Sequence, residues 1–575
     1  MTSMKYTLFL FLSVFMVSCN QEKGNAESEE SFNCNLRISK DPGRINPFFA
    51  PTSAGREIFQ YIFLPLADFH PDDLELEPIL ITKIPETKYE IDDDGNKLVA
   101  YDIEFRKDAQ WSDGKTITNR DYLFTVQAIK HPLSKALAWK SYFDFIVDVK
   151  LDSTNNKKLT VYMDGDYMLS KETALTTCIM PAHVFDPENK MKNLSVKLLL
   201  DDYEPVDTTI NNLIENINNS MNDKTNVVQI GPYKLIDYQT DLYVVLEKVK
   251  DYWGAEYKDN PYLQAYPEQL IFNVVPDEVT AITMAKESKL DFVSMRQSNT
   301  FLELKEDTAF NKNWSFHVPQ IMMFYYIAIN NKSKVLSDKT VRKALAYLAD
   351  VDDYIENIDG GLGVRTSGYF HPTKSYYNES LPLIEYNPEK AKELLNDAGW
   401  RDTNGNGILD KGGKELELDI LITGSQLSKN IALLFQESAK AAGIKVGITA
   451  KKSSVMRKEN LYVFNYDLAA LAISNDAAPD DPFNRWHSEN AVPGGKNTIG
   501  YSNPKSDKLI EQIRLTNDVD KRKDLFLELQ EIMYEDQPAI YLYCPLQKII
   551  INNKFDATTT AKRPGYKANT FKLAS

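Results

Sequence analysis

The sequence predicts a mixed α/β fold made of several domains, on three observations. Short runs of apolar or alternating character recur at 36–39, 98–105, 233–238, 243–249, 324–330, 416–423, 445–449, 466–473 and 540–543, which is the pattern of strands. Between them lie segments whose apolar residues return every three or four positions, at 54–64, 119–130, 341–350, 388–398, 427–442, 507–515 and 520–534, which is the pattern of helices. At roughly 150 residues per domain, a chain of 575 residues has room for about three or four domains.

Local punctuation supports each element. The first strand ends in Asp41, Pro42 and Gly43, followed by Asn46 and Pro47, all turn-forming residues. The strand at 98–105 leads to Trp111, Ser112, Asp113, Gly114 and Lys115, a hairpin-type turn. Thr118 or Asn119 then caps a helix that stops at Lys130, because His131 precedes Pro132. Residues 187–226 are polar with helical spacing, and Pro276 with Asp277 opens a helix reaching about residue 286. The chain contains no clean internal repeat.

The N-terminus reads as an address. Residues 6–17 form an apolar run after one positive charge, and as a helix they would reach about 18 Å, short of a bilayer core of roughly 30 Å. The run is the h-region of a signal peptide, residues 1–18. It closes on Met16, Val17, Ser18 and Cys19, which resembles the lipobox of bacterial lipoproteins and makes Cys19 the expected site of lipidation. Residues 19–31 are polar and acidic and read as a tether, so the folded part is expected from Phe32.

Composition narrows the function. Net charge is −16 with no long basic run, which excludes a nucleic-acid partner. The six His form no HExxH motif or close pair, and no nucleophile elbow or phosphate-binding glycine loop follows a strand, so neither catalytic residues nor a cofactor is expected. The segment from Asp402 through Asn404, Asn406 and Gly407 to Asp410 starts like a calcium loop, but its twelfth position is Gly413 instead of the bidentate Glu, and it reads as a polar turn. No metal site is expected. With Cys19 modified, Cys34, Cys178 and Cys544 allow at most one bridge, and their spacing selects no pair.

Several segments together resemble the extracellular solute-binding proteins of family 5, the peptide- and nickel-binding components of ABC importers. The resemblance rests on Arg37 with Asn46 and Pro47; on Phe105 through Trp111, Gly114, Thr118 and Asp121; on Met180, Pro181, Ala182 and His183; and on Gly231, Pro232 and Tyr233, followed by Asp251, Tyr252, Trp253 and Gly254. It continues in Asn330, in Val341 to Leu345, in Tyr386, Asn387, Pro388 and Glu389 through Gly399 and Trp400, and in Asn497, Gly500, Tyr501, Ser502, Asn503, Asp507 and Arg522. It covers essentially the whole mature chain.

The resemblance implies a periplasmic-binding-protein-like, two-lobed fold of class II type, in the large peptide-binder variant with an extra domain. Lobe I would combine 32–80, 205–318 and 540–575; the extra domain would be 81–204; lobe II would be 319–539. It implies a monomer that closes over a peptide or other small solute and delivers it to an ABC importer permease, outside the cytoplasm and held at the membrane by a lipid anchor, with no enzymatic activity. Asp476 matches the family's acid for a peptide α-ammonium, with Ile473, Ser474 and Asn475 beside it. Ala54, Gly55 and Trp486 would line the cleft, Arg365 or Arg485 would take the carboxylate, and Asn497 and Tyr501 would brace the site. Ile473 stands where peptide binders have Trp, and Ala470 where oligopeptide binders have Arg. Those departures leave ligand length and chemistry open, a nickel chelate, haem or an oligosaccharide included.

Overall fold

Strand Asn33–Ile38 sits in the middle of a seven-stranded sheet, and its burial explains its composition: Cys34, Leu36 and Ile38 are almost entirely buried. In this computed structural model, which describes residues 31–48, 52–165, 167–200, 203–220 and 228–575, that strand pairs in parallel with Gln269–Val274 and Phe292–Met295. Antiparallel strands complete the sheet: Tyr243–Lys248 and Tyr233–Gln239 on one side, Lys548–Asn552 and Trp314–His317 on the other. The expected signal peptide, the tether and Cys19 lie outside the described residues.

A second sheet has the order Lys445–Ala450, Glu417–Ile422, Leu468–Ser474, Met323–Ile329, Ala539–Tyr541. Glu417–Ile422 is parallel to both of its neighbours, and helix Gln426–Ala441 forms the crossover between the first two strands. A third, antiparallel sheet (Lys88–Ile91, Lys97–Glu104, Lys158–Asp164, Ile146–Leu151) shares one continuous apolar core with the first. The second sheet has its own cores on its two faces. The result is a two-lobed α/β fold.

The chain crosses between the two large sheets twice, from His317 to Met323 and from Tyr541 to Lys548. The crossings touch: Gln320 bridges to Leu546, and the Gln547 amide donates to the Pro319 carbonyl at 3.0 Å. Ala539, expected in the second lobe, and Ile540 and Tyr541, expected in the first, all pair with Met323–Ile329 in the second sheet.

The family-like motifs turn out to be joints. The Gly114 and Trp111 amides close the expected hairpin turn onto Trp111 O and Lys115 O at 2.9 and 2.7 Å. Asp121 accepts from the amides of Thr118 and Ala182, both at 2.8 Å, tying one motif to another. A Cβ on Gly231 would fall 2.2 Å from the Tyr61 carbonyl oxygen, so only glycine fits. The buried Arg342 guanidinium donates to the carbonyls of Leu336, Ser337, Asp536 and Gln537. Cys34, Cys178 and Cys544 are all buried free thiols.

Candidate functional site: the cleft between the sheets

Leu468–Ser474 runs out of the second lobe's core toward the crossings. Its register sets Ile473 opposite Phe324 and Ser474 opposite Met323, and the Asn475 amide extends the ladder by donating to Met322 O at 2.9 Å. Alternation along the strand buries Ile473 in an aromatic core and leaves Ser474 exposed.

The loop that follows is held from beneath. Lys374 Nζ donates to three successive carbonyls, those of Asp476 (2.6 Å), Ala477 (3.1 Å) and Ala478 (2.5 Å). The Tyr376 hydroxyl donates to Asp480 Oδ2 and accepts from the Asp480 amide, both at 2.8 Å, while Asn475 Nδ2 donates to Asp480 Oδ1 at 3.0 Å. Burial raises the Asp480 carboxyl above its ordinary value, and Lys374 opposes the shift. Asp476 is exposed, and among the described residues its carboxylate has no hydrogen-bond partner. The loop's backbone is therefore fixed while that carboxylate stays available.

The facing wall comes from the first lobe. Arg563, in the C-terminal loop, crosses to the second lobe and donates to Ser474 Oγ. Its side chain is exposed, yet desolvation by the surrounding protein lowers its pKa, and Asp476, then Glu57, pull it upward, with Arg56 acting against them. Glu57 lies on helix Ser53–Phe59 and accepts from the Tyr566 hydroxyl; burial lifts its carboxyl to about 7. Lys562 is committed to Asp68 and the Tyr262 hydroxyl, both at 2.6 Å, and to Phe69 O at 3.1 Å.

The third sheet's domain also reaches the loop. Tyr142, on helix Leu137–Phe143, lies close enough to Asp481 and Asp476 for both to raise its pKa, after burial as the main cause. The Tyr167 hydroxyl donates to Asp481 at 3.3 Å, Arg514 Nε donates to the same oxygen at 3.0 Å, and the Met168 amide donates to Arg514 O at 2.8 Å.

The predicted residues scatter accordingly. Ser474, Asn475 and Asp476 form one edge of the cleft. Ala54 and Gly55 are buried on the helix carrying Glu57, and a Cβ on Gly55 would lie 2.8 Å from Arg44 O. Trp486 is 1% exposed, packed edge-on against Tyr369 and Tyr501, so it supports the loop from within the core. Arg485 is exposed on the short helix Phe483–Trp486. Arg365 is not brought to the loop: its guanidinium holds Asp352 (3.0 Å), Glu385 (2.9 Å) and Ile384 O (2.7 Å). Asn497, fully buried, bonds His487 O and Tyr501 O and accepts from the Gly500 and Tyr501 amides. Sequence reasoning missed Arg563, Glu57 and Lys374. The clustering of Lys562, Arg563 and Lys567 near the end of an acidic chain was the one available signal.

Among the described residues, no three His, Cys, Asp or Glu side chains are placed to hold a metal ion. In the calcium-like loop, Asp402 accepts from the amides of Gly405 (2.7 Å) and Gly407 (3.0 Å), and Asp410 accepts from Thr403. No described helix is long and apolar enough to cross a membrane.

Two lobes on separate sheets, twin crossings and a polar cleft between them define a bilobed binding protein. The chain belongs to the bacterial extracellular solute-binding proteins, family 5, whose middle-region model matches residues 75–494. It is 26% identical over 561 residues to the oligopeptide-binding protein AppA of Bacillus subtilis, covering 94% of this chain and 93% of that one. The solved structure of Bacillus subtilis AppA in complex with a nonapeptide superposes with a TM-score of 0.70 at 21% identity, over 95% of this chain and all of that one. That of NikA from Brucella suis in complex with Fe(III)-EDTA superposes with a TM-score of 0.75 at 18% identity, over 94% of this chain and all of that one.

Proposed function

We propose that this protein captures a peptide between its lobes and delivers it to the permease of an ABC importer. The observation that carries the reading is Asp476: an exposed carboxylate without a hydrogen-bond partner, on a backbone that Lys374 and Tyr376 hold rigid, at the end of a strand that opens into the cleft. A carboxylate so placed can accept a charge-assisted hydrogen bond from an α-ammonium, worth roughly 1.5–3 kcal/mol. The similarity to a protein named for oligopeptides, along nearly its full length, supports the same reading.

We assign the protein to the outer side of a bacterial membrane, as a monomer anchored by lipid on Cys19. Residues 32–80 and 205–318 with the C-terminal segment form one lobe, 81–204 the extra domain, and the middle of the chain the other lobe. Palmitate labelling that disappears in Cys19→Ser checks the anchor.

Native mass spectrometry of residues 20–575, before and after unfolding, tests the function. Released masses forming a peptide ladder, lost in Asp476→Ala, are expected. A second reading, capture of a metal chelate, is favoured by the superposition on the Fe(III)-EDTA complex and by Ile473, which removes the peptide binders' Trp. A released non-peptide chelate would establish it in place of the first.

A further inference from the structure

Resting on the peptide reading of the same cleft, we infer that Arg563 is the specificity-determining residue that holds the solute's anionic group, opposite Asp476, and that the pair selects short dipolar solutes. Arg563 belongs to the first lobe's C-terminal loop, yet its guanidinium bonds Ser474, two positions from Asp476 on the second lobe. Among the described residues, Ser474 Oγ is its only hydrogen-bond partner. A guanidinium presents five donors in a planar fork suited to a carboxylate, and a single hydroxyl leaves most of them unused. Of the other cations nearby, Lys374 is committed to three carbonyls, Lys562 to Asp68 and Tyr262, and Lys567 is buried beside Tyr262, 3.5 Å from Gln60 Oε1, while Arg56 and Arg485 are exposed and, among the described residues, Arg563 alone bonds Ser474.

Spacing supplies the size. An extended chain advances at most about 3.3–3.6 Å per residue, so Ser474 and Asp476 lie within about 7 Å of each other along the backbone. A guanidinium on the first and a carboxylate on the second match an ammonium and a carboxylate about two residues apart. Because Arg563 and Asp476 come from opposite lobes, a solute bridging them also ties the lobes together. A solute without the anion would forgo the guanidinium's unused donors and so bind less tightly than one that carries it.

The experiment is affinity selection with mass-spectrometric readout on residues 20–575, using an equimolar library of di- and tripeptides with free or amidated C-termini, and Fe(III)-EDTA in parallel. The expected result is at least tenfold enrichment of free acids over amides, abolished in Arg563→Gln and partly restored in Arg563→Lys, with all three proteins melting together. Equal retention of acids and amides by the unmodified protein, or a preference that survives Arg563→Gln, would overturn the role of Arg563 while leaving peptide capture intact. Retention of the chelate alone would overturn peptide capture, and with it the two-residue spacing. Retention of neither would overturn the selection of short dipolar solutes, and with it the role of Arg563.

Discussion

The hydroxyl of Tyr543, on a strand of the second lobe, donates at 2.6 Å to Asp359 Oδ2, while Asp359 Oδ1 takes the ammonium of Lys548 from the first lobe's sheet. Ser298, on helix Ser298–Glu306, donates to Oδ1 at 2.9 Å. Lys548 and Asp359 side chains are 5% and 6% exposed, so the return crossing is pinned by a satisfied, water-excluded ion pair. Removing one partner of such a pair strands the other. Lys548→Met should cost about 3–5 kcal/mol in denaturant unfolding. Tyr543→Phe should cost about 1–2 kcal/mol, because Asp359 keeps its other two donors.

Gly231→Ala asks for space that is not there. The added carbon would fall 2.2 Å from Tyr61 O, where the Gly231 and Tyr233 amides bind the carbonyls of Ile62 and Tyr61. Backbone has to move, and a loss of about 1–3 kcal/mol is expected. Melting temperature and hydrogen exchange of the Tyr233–Gln239 strand check it.

Lys374→Met should act on binding more than on the fold. It frees three carbonyls of the loop carrying Asp476 and leaves Asp480 without its nearest cation. Solute affinity should fall at least tenfold. Hydrogen exchange at 475–482 should rise while the strands of the second sheet keep their protection.

Lys567 gives the stability a pH dependence of defined sign. Burial, reinforced by Lys562, lowers its ammonium from 10.5 to about 7, with Asp68 in partial opposition. Between those values the unfolded chain binds more protons at this position, so stability from this group rises as pH climbs from 7 toward 10.5 and is lowest below 7. Lys567→Met should therefore raise the melting temperature at pH 6 and raise it progressively less toward pH 10. A gain independent of pH would show that the residue acts through packing instead.

The two-lobed fold was legible because its signals are local and accumulate along the chain. Asn387 and Pro388 open helix Pro388–Asp397, as their cap chemistry requires. Misreadings arose where a distant segment decides. The helix expected over 54–64 ends at Phe59, because the carbonyls of Tyr61 and Ile62 are taken by amides around Gly231. The helix expected over 341–350 stops at Ala346, and Asp350 caps a second one, Val351–Asp359. Residues 540–543, read as one strand, divide: Ala539–Tyr541 pairs with Met323–Ile329, and Tyr543–Pro545 pairs with Gly363–Arg365. The strand that leads to Asp476, expected over 466–473 and found at Leu468–Ser474, was readable from its local pattern. The contact of Arg563 with Ser474 was not, since it spans 89 residues and two lobes.

Strand Lys548–Asn552 lies between Phe292–Met295 and Trp314–His317, though more than two hundred residues of sequence separate it from both. A chain emerging from the ribosome N-terminus first therefore carries an incomplete first sheet until its last few dozen residues appear. Trp314–His317 has no partner strand through all that time, and Phe292–Met295 has an open edge. Exposed edges of this kind invite pairing with other chains. The first sheet cannot close before the second lobe has been made, and a fragment stopping short of Lys548 would leave both of these edges open to other chains.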